Sequence, residues 1–506
     1  MIGLSLATGK SGVVPKITGG DMELREHQSR AIEMCRDSVR NGNKRIMLAA
    51  PCSFGKTRVA VEMLASAAKK GNAGIFICDR IKLVQQTVAE FDKHGIEAGV
   101  IQGWEHPRAN WQSPIQIASI QTLARRRAWP ASGLIIVDEA HVHYKTTTAL
   151  MEKYSAVPVI GLSATPFSKG LGNHYDDLIV PITASQLTDK GYLAPAKYFG
   201  GSKPNLKGIR SKRLNTGASD YDPGQLGKRM EKDIKLVGDI IENWKRHGEN
   251  SQTIAFSPSI NHSKTMVKMF NDAGIRAEHI DGYMDDAERQ ILYREHDDGK
   301  FKILSCSRLL NTGYDAPSVR CLIDAFPTKS LSSYVQRVGR VLRLHKDKPH
   351  AIILDHAGNV AKHGFAEDVV PDALHNGEKE YSEREQTKEK KEPKTMDCPV
   401  CFQTMVMPRC ACGHEVPRSK MLESDKQILT EIKREDRGRW LYEFKFYAAQ
   451  KGYKPGWAAW AYRSKFGVWP RVAAIPGERM KEVQSYVKHL QIRRAKNAGR
   501  DLREAG

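Results

Sequence analysis

The chain has 506 residues, with 79 Lys and Arg against 58 Asp and Glu, a formal net charge of +21 and a pI near 9.5. That length suits about three domains at roughly 150 residues each, and the cationic excess favours a polyanionic partner, most often nucleic acid. No apolar run of about 18 residues exists, which excludes a helical membrane span. Residues 1–12 lack the charged-then-apolar order of a secretory signal.

After an N-terminal extension over 1–20, residues 21–190 alternate short apolar runs with helical stretches. Strands are predicted at 45–49, 74–78, 115–118, 134–137 and 158–162, and helices at 26–41 and 57–70. Such alternation specifies a parallel sheet with helices on both faces. A second set of strands follows at 253–256, 276–280, 302–305, 321–325 and 350–354, within a second α/β domain over 191–372. Between the two sets, 200–229 is rich in Gly, Lys and Arg with weak apolar periodicity, and reads as a loop or arm. Residues 373–395 are charged and nearly devoid of apolar side chains, hence a linker or exposed helix. A cysteine cluster over 396–416 and a basic, aromatic region over 417–506 complete the chain.

Chemistry concentrates first in A-P-C-S-F-G-K-T at 50–57 and L-I-I-V-D-E-A-H at 134–141. A phosphate loop needs backbone N–H groups aimed at phosphates, a Lys on the β/γ oxygens and a hydroxyl on Mg²⁺. Lys56 and Thr57 supply the last two, and Gly55 permits close backbone approach; Ala50 replaces the usual first Gly. The second segment reads as a buried strand ending at Asp138, suited to Mg²⁺, and Glu139, suited to orienting or deprotonating water. Together these segments point to a nucleoside-triphosphate hydrolase.

Further motifs follow in order: L-R-E-H-Q at 24–28, S-I-Q-T-L at 119–123, S-A-T-P at 163–166, T-G-Y-D-A-P at 312–317 and Q-R-V-G-R-V-L-R at 336–343. Over residues 22–360 this set resembles the superfamily-two DEAD/DEAH-box helicases, in particular their DNA-directed phage and restriction-enzyme-like branch. The resemblance implies an α/β chain of two tandem RecA-like parallel-sheet domains, with a small zinc ribbon and a basic helical C-terminal region attached. It implies ATP in the cleft between the domains. Gln28 would read the adenine edge with Arg25 along the base, Ser53 and Gly55 would join Lys56 and Thr57 around the phosphates, and Asp315 would meet the ribose. Arg340 and Arg343 would act as arginine fingers from the second domain, and Gln336 would contact the γ-phosphate or attacking water. Arg80, Ser119, Gln121 and Thr312 would touch the nucleic-acid backbone, while Ser163 and Thr165 would couple hydrolysis to strand movement. The blander alternative for the Arg run is a solvated helix face.

DNA is preferred over RNA, because I-F-I-C-D-R-I-K-L-V-Q-Q-T at 75–87 differs from the P-T-R-E-L-A of RNA helicases, and T-G-Y-D-A-P from their A-R-G-L-D-I. Alternatives are a double-strand translocase that never separates strands, an RNA helicase, or a binding scaffold whose ATP site regulates attachment. Replication, recombination or repair proteins are possible partners, and no paired-carboxylate nuclease constellation is present.

Cys398, Cys401, Cys410 and Cys412 fit four thiolates around tetrahedral Zn²⁺, with His414 able to replace one because the second pair is unusually tight. Cys35, Cys52, Cys78, Cys306 and Cys321 are scattered, mostly among apolar residues. Reduced thiols plus one metal site suit a cytosolic protein, of bacterial or phage-infected host origin by the resemblance. After Val416 there are 21 Lys and Arg against 10 Asp and Glu, and four of the eight Trp. Aromatics can stack bases, but the helical spacing of Trp457 and Trp460 favours a small core.

Overall fold

The computed structural model describes residues 24–376, with breaks at 80, 104, 127, 202–203, 205, 214–218, 232–233, 308–313, 315 and 372. It also describes 395–397, 404–406, 429–432, 437–476 (broken at 455, 467–469 and 471–472), 483, 486 and 487.

The first domain runs α1 (Glu26–Arg40), β1 (Arg45–Ala49), α2 (Lys56–Lys69), β2 (Gly74–Cys78), α3 (Ile81–Lys93), β3 (Gly99–Ile101), β4 (Ile115–Ser119), α4 (Ile120–Arg125), β5 (Leu134–Val137), α5 (Lys145–Lys153), β6 (Val159–Ser163), β7 (Asp177–Ile179) and α6 (Ala184–Asp189). Its seven strands are all parallel, in the order β3-β4-β2-β5-β6-β1-β7. Strands β2, β4 and β6 are buried along their whole length. That is why β2 reads as a continuous apolar run rather than an alternating one.

The second domain contains β8 (Ala196–Gly200), β9 (Ser211–Arg213), β10 (Ser219–Tyr221), α7 (Pro223–Glu231), α8 (Ile234–His247), β11 (Thr253–Phe256), α9 (Ile260–Asp272), β12 (Ala277–Ile280), α10 (Asp286–Asp297), β13 (Ile303–Cys306), β14 (Cys321–Asp324), α11 (Leu331–Val341), β15 (Ala351–Asp355) and α12 (Asn359–His363). Its sheet order is β12-β13-β11-β14-β15-β8, parallel throughout. The predicted two-domain α/β layout is therefore present.

Residues 200–229 depart from the loop expected there. They include the antiparallel pair β9–β10 and helix α7. The order comes from tertiary contacts that local periodicity does not register: buried Asp220 accepts from Thr328 Oγ1 at 2.6 Å and from the Lys329 backbone N–H at 2.7 Å.

Beyond residue 376, β16 (Thr395–Asp397) pairs antiparallel with β17 (Thr404–Val406). Strand β18 (Thr430–Glu431) then adds antiparallel to the outer edge of β8. Leu429 is 1% exposed in the second domain's core, its N–H donates to Asn243 Oδ1 at 2.8 Å, and Ile432 N donates to Tyr198 O at 2.8 Å. The second domain is thus completed by residues 429–432, beyond the boundary at 372 expected from sequence. Helices α13 (Arg437–Gln450) and α14 (Trp457–Phe466) follow and share a small core of Trp440, Leu441, Phe444, Ala461 and Tyr462. Trp457 packs against it, as its spacing suggests, but Trp460 is 48% exposed.

Candidate active site

The loop between β1 and α2 turns through two left-handed residues, Ser53 at φ 64° and Gly55 at φ 89°. Gly55 caps α2 with its backbone, and a Cβ there would collide with Gln28 Nε2. Lys56 opens the helix and reaches back towards Ala50 O at 3.4 Å, with Thr57 beside it on the first turn. Ser53 Oγ is buried without a hydrogen-bond partner. An unused hydroxyl, a glycine cradle and a helix N-terminus carrying Lys56 together fit an anionic phosphate group.

Gln28 is held on both sides of its amide. Its Oε1 accepts from Arg25 N at 3.0 Å, and its Nε2 donates to Phe54 O at 3.0 Å. One amide N–H and one oxygen lone pair remain, the combination that pairs with N7 and N6 of adenine. The Arg25 guanidinium lies 4.8 Å from the ring centre of Tyr192, a residue the sequence reading does not single out.

Strand β5 delivers Asp138 and Glu139. Asp138 is partly buried, and that burial together with the Glu139 charge raises its carboxyl above the ordinary range, opposed by Lys56. A carboxylate so placed suits a divalent cation, with Thr57 as its partner ligand. Glu139 sits in the left-handed region at φ 47°. Burial pushes its carboxyl upward, but His141, Lys56 and Arg340 outweigh that and hold it below the ordinary range, so it is ionised at neutral pH.

His141 lies 3.2 Å from Glu139 Oε2 and 3.1 Å from Ser163 Oγ through the same nitrogen, Nδ1. Its other nitrogen faces Gln336 Nε2 of the second domain at 3.4 Å, and Gln336 also donates to Thr165 Oγ1 at 3.4 Å. Thr165 N donates to Ser163 Oγ at 3.0 Å, and Ser332 Oγ donates to Thr165 O at 3.3 Å. A proton on Nδ1 satisfies this arrangement, because Nε2 then accepts from the Gln336 amide. Ser163 and Thr165 therefore lie between Glu139 and the second domain.

Helix α11 approaches the phosphate loop closely. At Gly339 an added Cβ would stand 2.6 Å from Cys52 Sγ. Arg340 donates to Tyr314 O at 2.9 Å, and its charge is felt at Glu139. Burial lowers the pKa of both Arg340 and Arg343. Fully buried Arg337 fixes the helix from behind, 3.1 Å from Asp324 and donating to Phe326 O at 3.0 Å. A mostly apolar pocket, open to solvent, lies between the domains behind the loop, lined in part by Cys52, Ala164, Leu193, Gly339 and Val369.

The expected nucleic-acid contacts are less completely seen. Ser119 is buried and donates to Gln121 Oε1 at 2.7 Å, while exposed Gln121 also donates to Asp79 O. Ser119 thus orients Gln121, which is the accessible member. Arg80, Thr312, Asp315, Cys398, Cys401, Cys410, Cys412 and His414 lie outside the described residues. Among the described residues no group of three or more His, Cys, Asp or Glu could hold a metal ion. None of the described helices is long and apolar enough to cross a membrane. His141 and Gly339 stand within the motifs at 134–141 and 336–343, whereas Ser332 carries no local signal in the sequence.

Residues 21–168 match the family described as type III restriction enzyme, res subunit, and residues 232–345 match the helicase conserved C-terminal domain. A 51.5 kDa protein of Lactococcus phage (isolate 7-9) is 28% identical over 379 residues, covering 73% of this chain and 78% of that protein. The putative ATP-dependent helicase IRC3 of Saccharomyces cerevisiae is 27% identical over 365 residues, covering 66% of this chain and 51% of the yeast protein. The chain therefore spans about half the length of that yeast relative. Among solved structures, the ATP-dependent type ISP restriction-modification enzyme LlaBIII bound to DNA shares the fold at 18% identity and a TM-score of 0.52, over 66% of this chain and 28% of that one. Two regions of the chain thus match helicase-type families, and with the helicase-named relatives they support an ATP-hydrolysing, nucleic-acid-dependent enzyme.

Proposed function

We propose that this protein is a DNA-directed helicase or translocase that couples ATP hydrolysis to movement on DNA. The observation that carries this reading is the chain of contacts from Glu139 through His141 to Gln336, across the two domains. Glu139 accepts a proton from the attacking water, Arg340 and Arg343 face the charge that develops on the phosphoryl group, and Lys56 holds the phosphates. Asp138 and Thr57 would hold Mg²⁺, which when bound supplies charge neutralisation at the phosphates. Because these groups come from both domains, nucleotide in the cleft favours closure and its hydrolysis releases it. Gln121 on the first domain then moves relative to contacts on the second.

DNA is favoured by the departures at 75–87 and 312–317 and by the restriction-enzyme family matched by residues 21–168. Cys398, Cys401, Cys410 and either Cys412 or His414 form a structural zinc site in this reading. The antiparallel pairing of β16 with β17, which flank Cys398 and Cys401 in sequence, supports it. The deciding experiment is a panel of labelled forks, blunt duplexes and triplexes incubated with protein and ATP. Displacement of a third strand without duplex opening identifies a translocase, and fork separation a helicase. Neither activity on DNA, together with displacement from RNA duplexes, would refute the DNA assignment.

A further inference from the structure

The turn between β12 and α10 carries Tyr283, which is 91% exposed, more than any other large apolar or aromatic side chain among the described residues. A ring that exposed contributes almost nothing to folding by burial. Yet its backbone is fixed with care. The Asp281 carboxylate accepts from Tyr283 N at 2.8 Å and Met284 N at 3.2 Å. Its second oxygen pairs with His279 Nε2 at 3.1 Å, His279 Nδ1 pairs with Ser263 Oγ at 2.7 Å, and Ser263 Oγ pairs with Ser305 Oγ at 2.6 Å. Arg289 Nη1 adds a bond to Asp281 O at 3.2 Å. This relay ties the turn to α9, to β13 and to α10, so the ring is presented from a rigid base.

The turn lies at the carboxyl ends of the second domain's parallel strands, the edge where open α/β sheets bind ligands. Exposed Lys264 follows Ser263 on α9, and its charge is felt at His279 of the relay. The neighbouring carboxylates are engaged: Asp285 caps α10 through Ala287 N at 2.8 Å, and Asp286 pairs with Arg289. A planar aromatic face beside a cation is what a nucleobase and its phosphate require.

We propose that Tyr283 is a base-stacking contact for single-stranded nucleic acid on the second domain, with Lys264 on the adjacent phosphate. The proposal rests on the nucleic-acid-dependent reading of the enzyme and adds to it a contact to the base rather than to the backbone. Stacking on Tyr283 gives the moving domain a grip that is indifferent to sequence, since every base has a π-face.

The test uses the full chain, wild type and the variants Tyr283→Ala, Tyr283→Phe and Lys264→Ala. Each is titrated with a fluorescent single-stranded DNA and with the same strand carrying abasic positions. For Tyr283→Ala the expected result is about tenfold weaker binding to the intact strand with an unchanged salt slope, because a stack releases no counterions. Tyr283→Phe should bind as wild type does, and on the abasic strand wild type and Tyr283→Ala should converge. Lys264→Ala should instead make the salt slope shallower by about one. At saturating DNA, kcat for ATP should stay unchanged in Tyr283→Ala while the half-saturating DNA concentration rises. Wild-type affinity in Tyr283→Ala would overturn the proposal and leave the ring to a protein partner. Equal weakening on intact and abasic strands would also overturn it. If wild-type protein bound duplex but no single strand, this proposal alone would fall; binding to neither would also overturn the nucleic-acid reading.

Discussion

Glu139 combines a left-handed backbone with a carboxyl kept ionised by His141, Lys56 and Arg340. Non-glycine residues at positive φ cost free energy and cluster where geometry matters for chemistry. Glu139→Gln should therefore bind ATP and DNA normally and lose turnover, because an amide cannot take the proton of the water. Near-normal hydrolysis in that variant would remove Glu139 from its role. Arg340→Ala should slow hydrolysis at least roughly tenfold while nucleotide affinity changes little, as expected of a group acting on developing charge. Full DNA-stimulated turnover in Arg340→Ala would remove Arg340 from that role. Gln336 is different, since its amide touches His141 and Thr165. Gln336→Ala should lower strand displacement more than ATP turnover, a split read by measuring both on one preparation.

At the scale of elements, the approach of α11 to the phosphate loop depends on Gly339. Gly339→Ala should reduce kcat without lowering the melting temperature, because the added methyl meets Cys52 of the other domain rather than its own core. An unchanged kcat would mean that the close approach is not needed for turnover. The C-terminal elements divide at β18. Cutting the chain near Lys394 looks harmless from sequence, but it would bare the edge of β8 and remove Leu429 from the core, a loss of about 2 kcal/mol from that side chain alone. Such a truncation should melt lower and aggregate. Ending the chain after Asp436 should keep a folded ATPase, while deleting 16 Lys and Arg against 5 Asp and Glu. DNA binding by that form should weaken with a shallower salt dependence. Unchanged affinity would assign the α13–α14 module to a protein partner.

At the scale of the whole molecule, the two parallel sheets and the nucleotide loop were legible because buried strands such as β2 and β5 are unbroken apolar runs beside distinctive Gly-Lys-Thr and Asp-Glu segments. The edge strands β7 and β18 were not legible, being two or three residues long and defined by their partners rather than by pattern. The β9–β10 pair was missed for the same reason, since Asp220 is ordered by Thr328, far away in sequence. Backbone contacts to nucleic acid leave little signature because short polar residues make them. Ser119, expected to be such a contact, is buried and hydrogen-bonded to Gln121. Zinc is decided by composition analysis: about one Zn²⁺ per chain should be found and lost on replacing Cys398 and Cys401, whereas metal-free protein purified without chelators would rule the site out.

The central claim, that a two-domain ATP site answers to DNA, is tested most directly by steady-state ATP hydrolysis of the full chain with and without DNA. The expected result is a rate raised at least roughly tenfold by saturating DNA, the order an arginine finger contributes when closure brings it into place, with little response to RNA. A rate unaffected by DNA, or raised by RNA alone, would contradict the account.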